Sequence, residues 1–366
     1  MRHIVKQSGV VGRNPYCAAC DTSPMRVCIR RNALRPSTWL RAGLLTPCVL
    51  LLSTGVVMAQ PASTSSGQAY PAKPVRLVVP YAPAGVADIL GRVIAEKLGQ
   101  RLGQNVVVFN REGGGSAVGA ELVAKSTPDG YTLLVASTAI TMNAVVNRKL
   151  PYDVKRDLAP LSLVFEQPAI LAVHPSVAAN SVQELIALAR ANPGKLRYGS
   201  SGVGGVINLV TELFKHQAKI DLTHVPYKGV APAMIDLVGG QIELVMSGIT
   251  NAAPLVKGGK LKALGITSRK RSAVLPDVRP IVEQGLPDYE TSTWYGVLAP
   301  AATPPKILAR LNTEIMQIVS SAEVRERFAN QGGEARATSR EAFAALIDSD
   351  LRRWHTVVNA AGLRAE

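Results

Sequence analysis

Val75-Arg76-Leu77-Val78-Val79-Pro80-Tyr81 is followed by Ala82-Pro83-Ala84-Gly85-Val86, and then by Leu90, Val93, Ile94, Leu98 and Leu102 at helical spacing. The first run reads as a strand, the second as a loop and the third as the buried face of a helix. Strand, loop and amphipathic helix in that order form one unit of a parallel sheet flanked by helices. The unit repeats. Asn105 to Phe109 is a second strand, Gly113-Gly114-Gly115-Ser116 opens a second helix, and Pro128-Asp129-Gly130 turns into a third strand ending at Ser137.

A second α/β half starts near Pro168-Ala169-Ile170-Leu171-Ala172-Val173. Ser181-Val182-Gln183-Glu184 is a capping box for its first helix. Lys195 to Ser200 is a strand that leads through Gly202-Val203-Gly204-Gly205 into a helix reaching Lys219. Thr223-His224-Val225 and Ile242 to Met246 begin two further strand-helix units, and Leu261 to Thr267 is another strand. Beyond the apolar run Ser292 to Pro300, two helical stretches begin at Thr303-Pro304-Pro305 and at Ser339. They have no strands of their own to cover, so they return to the first half. The chain is therefore expected to cross between halves twice, at about 168–175 and 292–300.

Formal net charge is +15 over 366 residues, but residues 1–59 carry eight of the basic residues and one acid, Asp21, leaving +8 for the remainder. That remainder has no basic run beyond Arg269-Lys270-Arg271, which argues against a nucleic-acid partner. The basic stretch ending at Arg41 runs into apolar Ala42 to Ala59 and closes on Val57-Met58-Ala59, the layout of a cleaved secretory signal peptide over 1–59. Met25 is an alternative start, which would make 1–24 an extension, and Arg30-Arg31 is a weak twin-arginine match. All four cysteines (Cys17, Cys20, Cys28, Cys48) fall in this leader, so the mature chain is expected to hold no disulfide and no cysteine-bound metal. Residues 60–73 read as a flexible lead-in.

Several motifs now align in order. Tyr70-Pro71-Ala72-Lys73-Pro74-Val75-Arg76, Pro128-Asp129-Gly130-Tyr131-Thr132-Leu133, Ser200-Ser201-Gly202, His224-Val225-Pro226-Tyr227-Lys228-Gly229 and Leu298-Ala299-Pro300 resemble the Bug-type solute receptors of tripartite tricarboxylate transporters. The likeness spans residues 70–366. It implies a two-lobed, type II-like periplasmic-binding-protein fold, each lobe a mostly parallel sheet flanked by helices, with a ligand cleft between them. Lobe 1 would comprise 74–170 and 297–366, and lobe 2 would comprise 171–296. The implied role is capture of a small organic carboxylate in the periplasm by a monomer that presents it to membrane permease subunits. The alternatives are a stand-alone receptor signalling to a membrane sensor and a nucleotide-dependent enzyme using the glycine-rich loops.

Carried over by position, the implied ligand contacts are Tyr81, Ala84, Gly85, Val86, Asp88, Ser137 and Thr138 in the first lobe. In the second they are Ser200, Ser201, Gly202, Val203, Gly204 and Ser247. The chemistry suits a carboxylate, because helix N-termini offer free N–H groups and a favourable dipole, and glycine permits close approach. The sequence departs from the family pattern in four places: Ala84-Gly85 replaces a glycine pair, Val86-Ala87 replaces threonines, Asn208 replaces a histidine and Ser247 replaces an aspartate. Each change removes polarity or charge, pointing to a more apolar or aromatic carboxylate. Since the loops 81–88 and 200–205 hold no Lys or Arg, Gly204→Val is expected to abolish carboxylate binding while unfolding stays cooperative, with a distorted turn if Gly204 needs positive φ, and Arg92→Gln to weaken binding by less than about tenfold.

No catalytic, metal or cofactor site is expected. Gly113 to Gly119 lacks the third glycine of a dinucleotide loop, where Val118 stands, and Gly202 to Gly205 fails in the same way at Ile207. Tyr198 to Gly202 does not match a nucleophile elbow in either register. His174, His216, His224 and His355 lack metal-ligand spacing. For His224, at a strand end before a helix, stabilising the turn and contacting the ligand are both open. Asp88 admits two roles as well: a helix-start carboxylate paired with Arg92, or a ligand contact.

Overall fold

The computed structural model of the chain describes residues 70–147 and 149–363. The leader, its cleavage motif, the four cysteines and residues 60–69 lie outside the described residues. The opening strand is β1 (Val75–Val79), whose Val75, Leu77, Val78 and Val79 are fully buried, because helices cover both faces of its sheet. Helix α1 (Val86–Leu102) buries Leu90, Val93, Ile94, Leu98 and Leu102, and stops at Gly103, whose left-handed backbone returns its N–H to the Gly99 carbonyl. Then follow β2 (Val106–Asn110), α2 (Ala117–Ala124), β3 (Thr132–Ser137) and α3 (Ala139–Val146). β1 pairs in parallel with both β2 and β3.

The strand β4 (Leu158–Val173) begins ten residues before the apolar run that the sequence reading marks at Pro168. Pro160 and Pro168 disguise it, since proline lacks a ladder donor. In the fold both sit where pairing changes: the register with β9 (Ser292–Pro300) shifts after Pro160, and Pro168 is the last residue paired to that strand. Between them come α4 (Val182–Ala191), β5 (Arg197–Ser200), α5 (Val206–Ala218), β6 (Thr223–Pro226), α6 (Val230–Val238), β7 (Leu244–Gly248), α7 (Ile249–Lys257) and β8 (Lys262–Ile266). The chain ends with α8 (Pro305–Ser320), α9 (Ala322–Ala329), β10 (Glu334–Ala335) and α10 (Arg340–Ala361).

Strand order is β2-β1-β3-β9-β4-β7-β5-β6, with β8 and β10 also on β4. The outer pairs are parallel, and every antiparallel pair involves β4 or β9. These two strands join the lobes of a periplasmic-binding-protein fold. β4 leaves β9 at Pro168 and takes up β7 at Ala169, opposite Gly248. Thr267 closes the return crossing: its buried hydroxyl accepts from Ala169 N–H at 2.9 Å and donates to the Thr291 carbonyl at 2.6 Å. Thr267→Val keeps the shape and strands both partners, so it should lower stability by about 2 kcal/mol in urea unfolding.

Helix α10 is shared between the lobes. Phe343 and Ile347 pack among first-lobe residues such as Leu134 and Leu163, whereas Trp354, Val357 and Val358 pack with Leu209, Phe214 and Leu171 of the second. Between these two groups Asp350, buried, accepts a hydrogen bond from the Trp294 indole. Residues 70–73 depart from the flexible lead-in expected of them. Tyr70 donates to the Gly130 carbonyl at 2.7 Å and meets the Tyr131 ring edge-on at 5.1 Å, while Pro71 is buried.

Candidate ligand-binding site

The first loop is shaped by Asp88, which is almost fully buried in the opening turn of α1. Its carboxylate accepts from the Ala84 amide at 3.0 Å, from Arg92 Nε at 2.9 Å and from Asn110 Nδ2 at 2.8 Å. Asn110 also donates to the Tyr81 carbonyl at 3.1 Å. Asp88 therefore pins the loop from beneath and does not reach out of it. Ala84 is held in the left-handed region, φ 66°, where a glycine would carry no strain. The tip, Ala82 to Gly85, is exposed.

Burial would push the Asp88 carboxyl up, but the hydrogen bonds from Arg92, Ala84 and Asn110 outweigh it and hold it below its ordinary value of 3.8. A depressed carboxyl contributes stability that is present above its unfolded pKa and lost as pH falls through the folded one. Asp88→Asn should cost about 1.5 kcal/mol near neutrality. The gap between variant and parent should close below about pH 3.8, as read from urea midpoints across pH.

Tyr81 and Ser137, both expected ligand contacts, meet each other: their hydroxyl oxygens are 2.5 Å apart, and Ser137 Oγ also accepts the Ala139 N–H. The Thr138 hydroxyl is committed elsewhere, accepting from the Trp294 amide at 2.9 Å and so tying the start of α3 to β9. Ser116, buried at φ 91°, and Tyr152 present hydroxyls with no hydrogen-bond partner. Gly119 explains part of the glycine run, because a Cβ there would stand 2.7 Å from Pro80 Cβ and 2.8 Å from the Arg111 carbonyl. That is tight helix-strand packing.

The second loop hangs from its own helix and from β6. Ser200 is fully buried, with Oγ 3.1 Å from both the N–H and the carbonyl of Gly202 and 2.6 Å from His224 Nε2. Gly202 (φ 119°) and Gly204 (φ 72°) make the turn, and Val203 at its tip is 60% exposed. Ser201 is half-buried. Gly204 needs correction as a ligand donor: its N–H goes to Asn208 Oδ1 at 2.8 Å, and its Cα faces Val146 at the end of α3. Ser247 is fully buried within β7, opposite Ile170, one residue before the glycine that starts α7.

Asn110, Tyr198, Asn208 and Glu212 were absent from the expected set. Asn208 donates to the Tyr198 hydroxyl, which in turn donates to Glu212, and Lys215 pairs with that carboxylate at 3.0 Å. Sequence offers no signal for contacts made across strands and turns, beyond the helical spacing of Asn208, Glu212 and Lys215.

What the two loops share is unsatisfied backbone. α1 starts from Gly85 and α5 from Gly205, both extended and both without a side-chain cap, so their first N–H groups stay open. α6 and α7 likewise start from glycines, Gly229 and Gly248, without a side-chain cap, whereas Ser181 caps α4 and Ser339 caps α10. Among the described residues no group of three or more His, Cys, Asp or Glu is placed to hold a metal. No described helix is long and apolar enough to cross a membrane.

The family profile described as "Tripartite tricarboxylate transporter family receptor" matches residues 90–363. The chain is 34% identical over 322 residues to Protein BugT of Bordetella pertussis, covering 87% of this chain and 99% of that one. Rpa4515 of R. palustris, solved with adipate, is similar at 35% identity and TM-score 0.72, over 81% of this chain and 99% of that one. MatC of Rhodopseudomonas palustris, solved with malate, is similar at 31% identity and TM-score 0.68, over 79% of this chain and 100% of that one.

Proposed function

Because the chain belongs to the tripartite tricarboxylate transporter receptor family, we propose that it captures a small organic carboxylate between its lobes and hands it to membrane permease subunits. It works in the periplasm after cleavage behind Val57-Met58-Ala59, and it binds without catalysing. The observation that carries this reading is the pair of open helix N-termini at α1 and α5, led by glycine and set in loops without Lys or Arg. Such ends favour an anion through free N–H groups and the helix dipole. Similar proteins have been solved with adipate and with malate, and the partly exposed Val86 at the head of α1 gives this site an apolar edge, suited to a dicarboxylate with an apolar chain.

Calorimetric titration with adipate, malate and the uncharged adipamide tests the reading. A dicarboxylate should bind at about micromolar strength, roughly 8 kcal/mol at standard state, and the diamide should not. Equal binding of the diamide, or turnover of a nicotinamide cofactor, would remove the carboxylate-receptor reading.

A further inference from the structure

His224 sits on β6, outside both ligand loops, yet the second loop is built on it. Its ring stacks on Tyr198 with centroids 4.7 Å apart and planes at 16°, which fixes the direction in which Nε2 points. That direction is Ser200 Oγ, at 2.6 Å. Ser200 in turn holds the Gly202 peptide at both its N–H and its carbonyl. The other end of the loop is fixed by Asn208, which takes the Gly204 N–H and reaches back to the Tyr198 hydroxyl. Tyr198 thus braces two supports, His224 under Ser200 and Asn208 under Gly204.

The pair is not a catalytic serine and base. Ser200 is fully buried and its oxygen is committed to Gly202. Burial pushes the imidazole below its ordinary value, with Glu212 opposing and Lys215 adding to the shift.

We propose that His224 is a positioning residue of the binding site, fixing Ser200 and through it the Gly202 to Gly205 turn that aims the open N-terminus of α5. The consequence for affinity rests on the carboxylate reading above; the effect on the loop does not.

Amide hydrogen exchange of the 200–206 segment in ligand-free protein separates the two. His224→Phe keeps a ring to stack on Tyr198 and deletes the nitrogen, whereas His224→Gln restores a polar atom. Loop exchange should rise about tenfold in the Phe variant, about 1.4 kcal/mol, and return close to the parent in the Gln variant, with adipate affinity in the same order. Should the Phe variant fail to fold, His224→Leu, which also deletes the nitrogen that meets Ser200 Oγ, takes its place and should loosen the loop by a similar factor. Unchanged exchange in the variant that lacks the nitrogen, or a Gln variant as loose as it, overturns the assignment. A loosened and rescued loop in a protein that binds no carboxylate supports the positioning role and removes the carboxylate reading.

Discussion

Gly204→Val is expected to lower folding stability by about 4 kcal/mol. Two effects add. Gly204 has φ 72°, a region that costs an L residue about 1–2 kcal/mol and a β-branched one more. A Cβ there would also stand 2.8 Å from Val146 Cγ1, and overpacking of that kind costs about 1–3 kcal/mol. From sequence the same substitution reads first as a block to ligand entry with cooperative unfolding kept, and as a distortion of the turn only if Gly204 needs positive φ, which it does. The structure turns its cost inward, because Gly204 is buried against α3 and its N–H already serves Asn208. Urea unfolding of Gly204→Ala and Gly204→Val, each with and without Val146→Ala, checks this. Val146→Ala should recover the steric share for valine and leave the backbone share untouched. A Gly204→Val protein within about 1 kcal/mol of the parent would show that the turn relaxes freely.

The sequence carries those parts of the fold that rest on local periodicity and local hydrogen bonds. The strand-loop-helix pattern around Val75 to Leu102 is such a part, and so is the run Ser292 to Pro300, whose span coincides with β9. Ser181 caps α4 as the capping box implies, although Glu184 reaches back to the Asn180 amide and not to that of Ser181. Asp88 with Arg92 was legible because four residues separate them on one helix. Asn110 was not, since it approaches the helical Asp88 from the end of β2. The first ten residues of β4 were hidden by prolines that mark a change of register, at Pro160, and a change of partner, at Pro168. Thr267 gave no signal, because a threonine at a strand end shows nothing of the two backbone groups that meet it from β4 and from the approach to β9.

The same division runs through the candidate site. Glycines at the helix starts were readable as places where backbone can face a ligand, and α1 and α5 do begin from Gly85 and Gly205 without caps. Which polar side chains face outward was not readable. Thr138, Ser200 and Asp88 spend their oxygens on the protein's own backbone and side chains, work that depends on neighbours brought in by the tertiary fold.

The claim that backbone N–H groups hold the ligand is tested most directly by removing one without altering any side-chain charge. Val86 and Val206 are the first residues of α1 and α5, where proline fits a helix and its missing N–H is one that the helix leaves open. The preceding glycines have φ and ψ of −78° and 168° at Gly85 and −72° and 164° at Gly205, the extended geometry that a residue before proline requires. Val86→Pro and Val206→Pro should therefore fold as the parent does. A hydrogen bond to a charged group contributes about 1.5–3 kcal/mol, so calorimetry with adipate should show each variant weaker by roughly tenfold to a hundredfold. Parent-like affinity in both proline variants, with their unfolding midpoints unchanged, would contradict the account and place the anion on side chains elsewhere in the cleft.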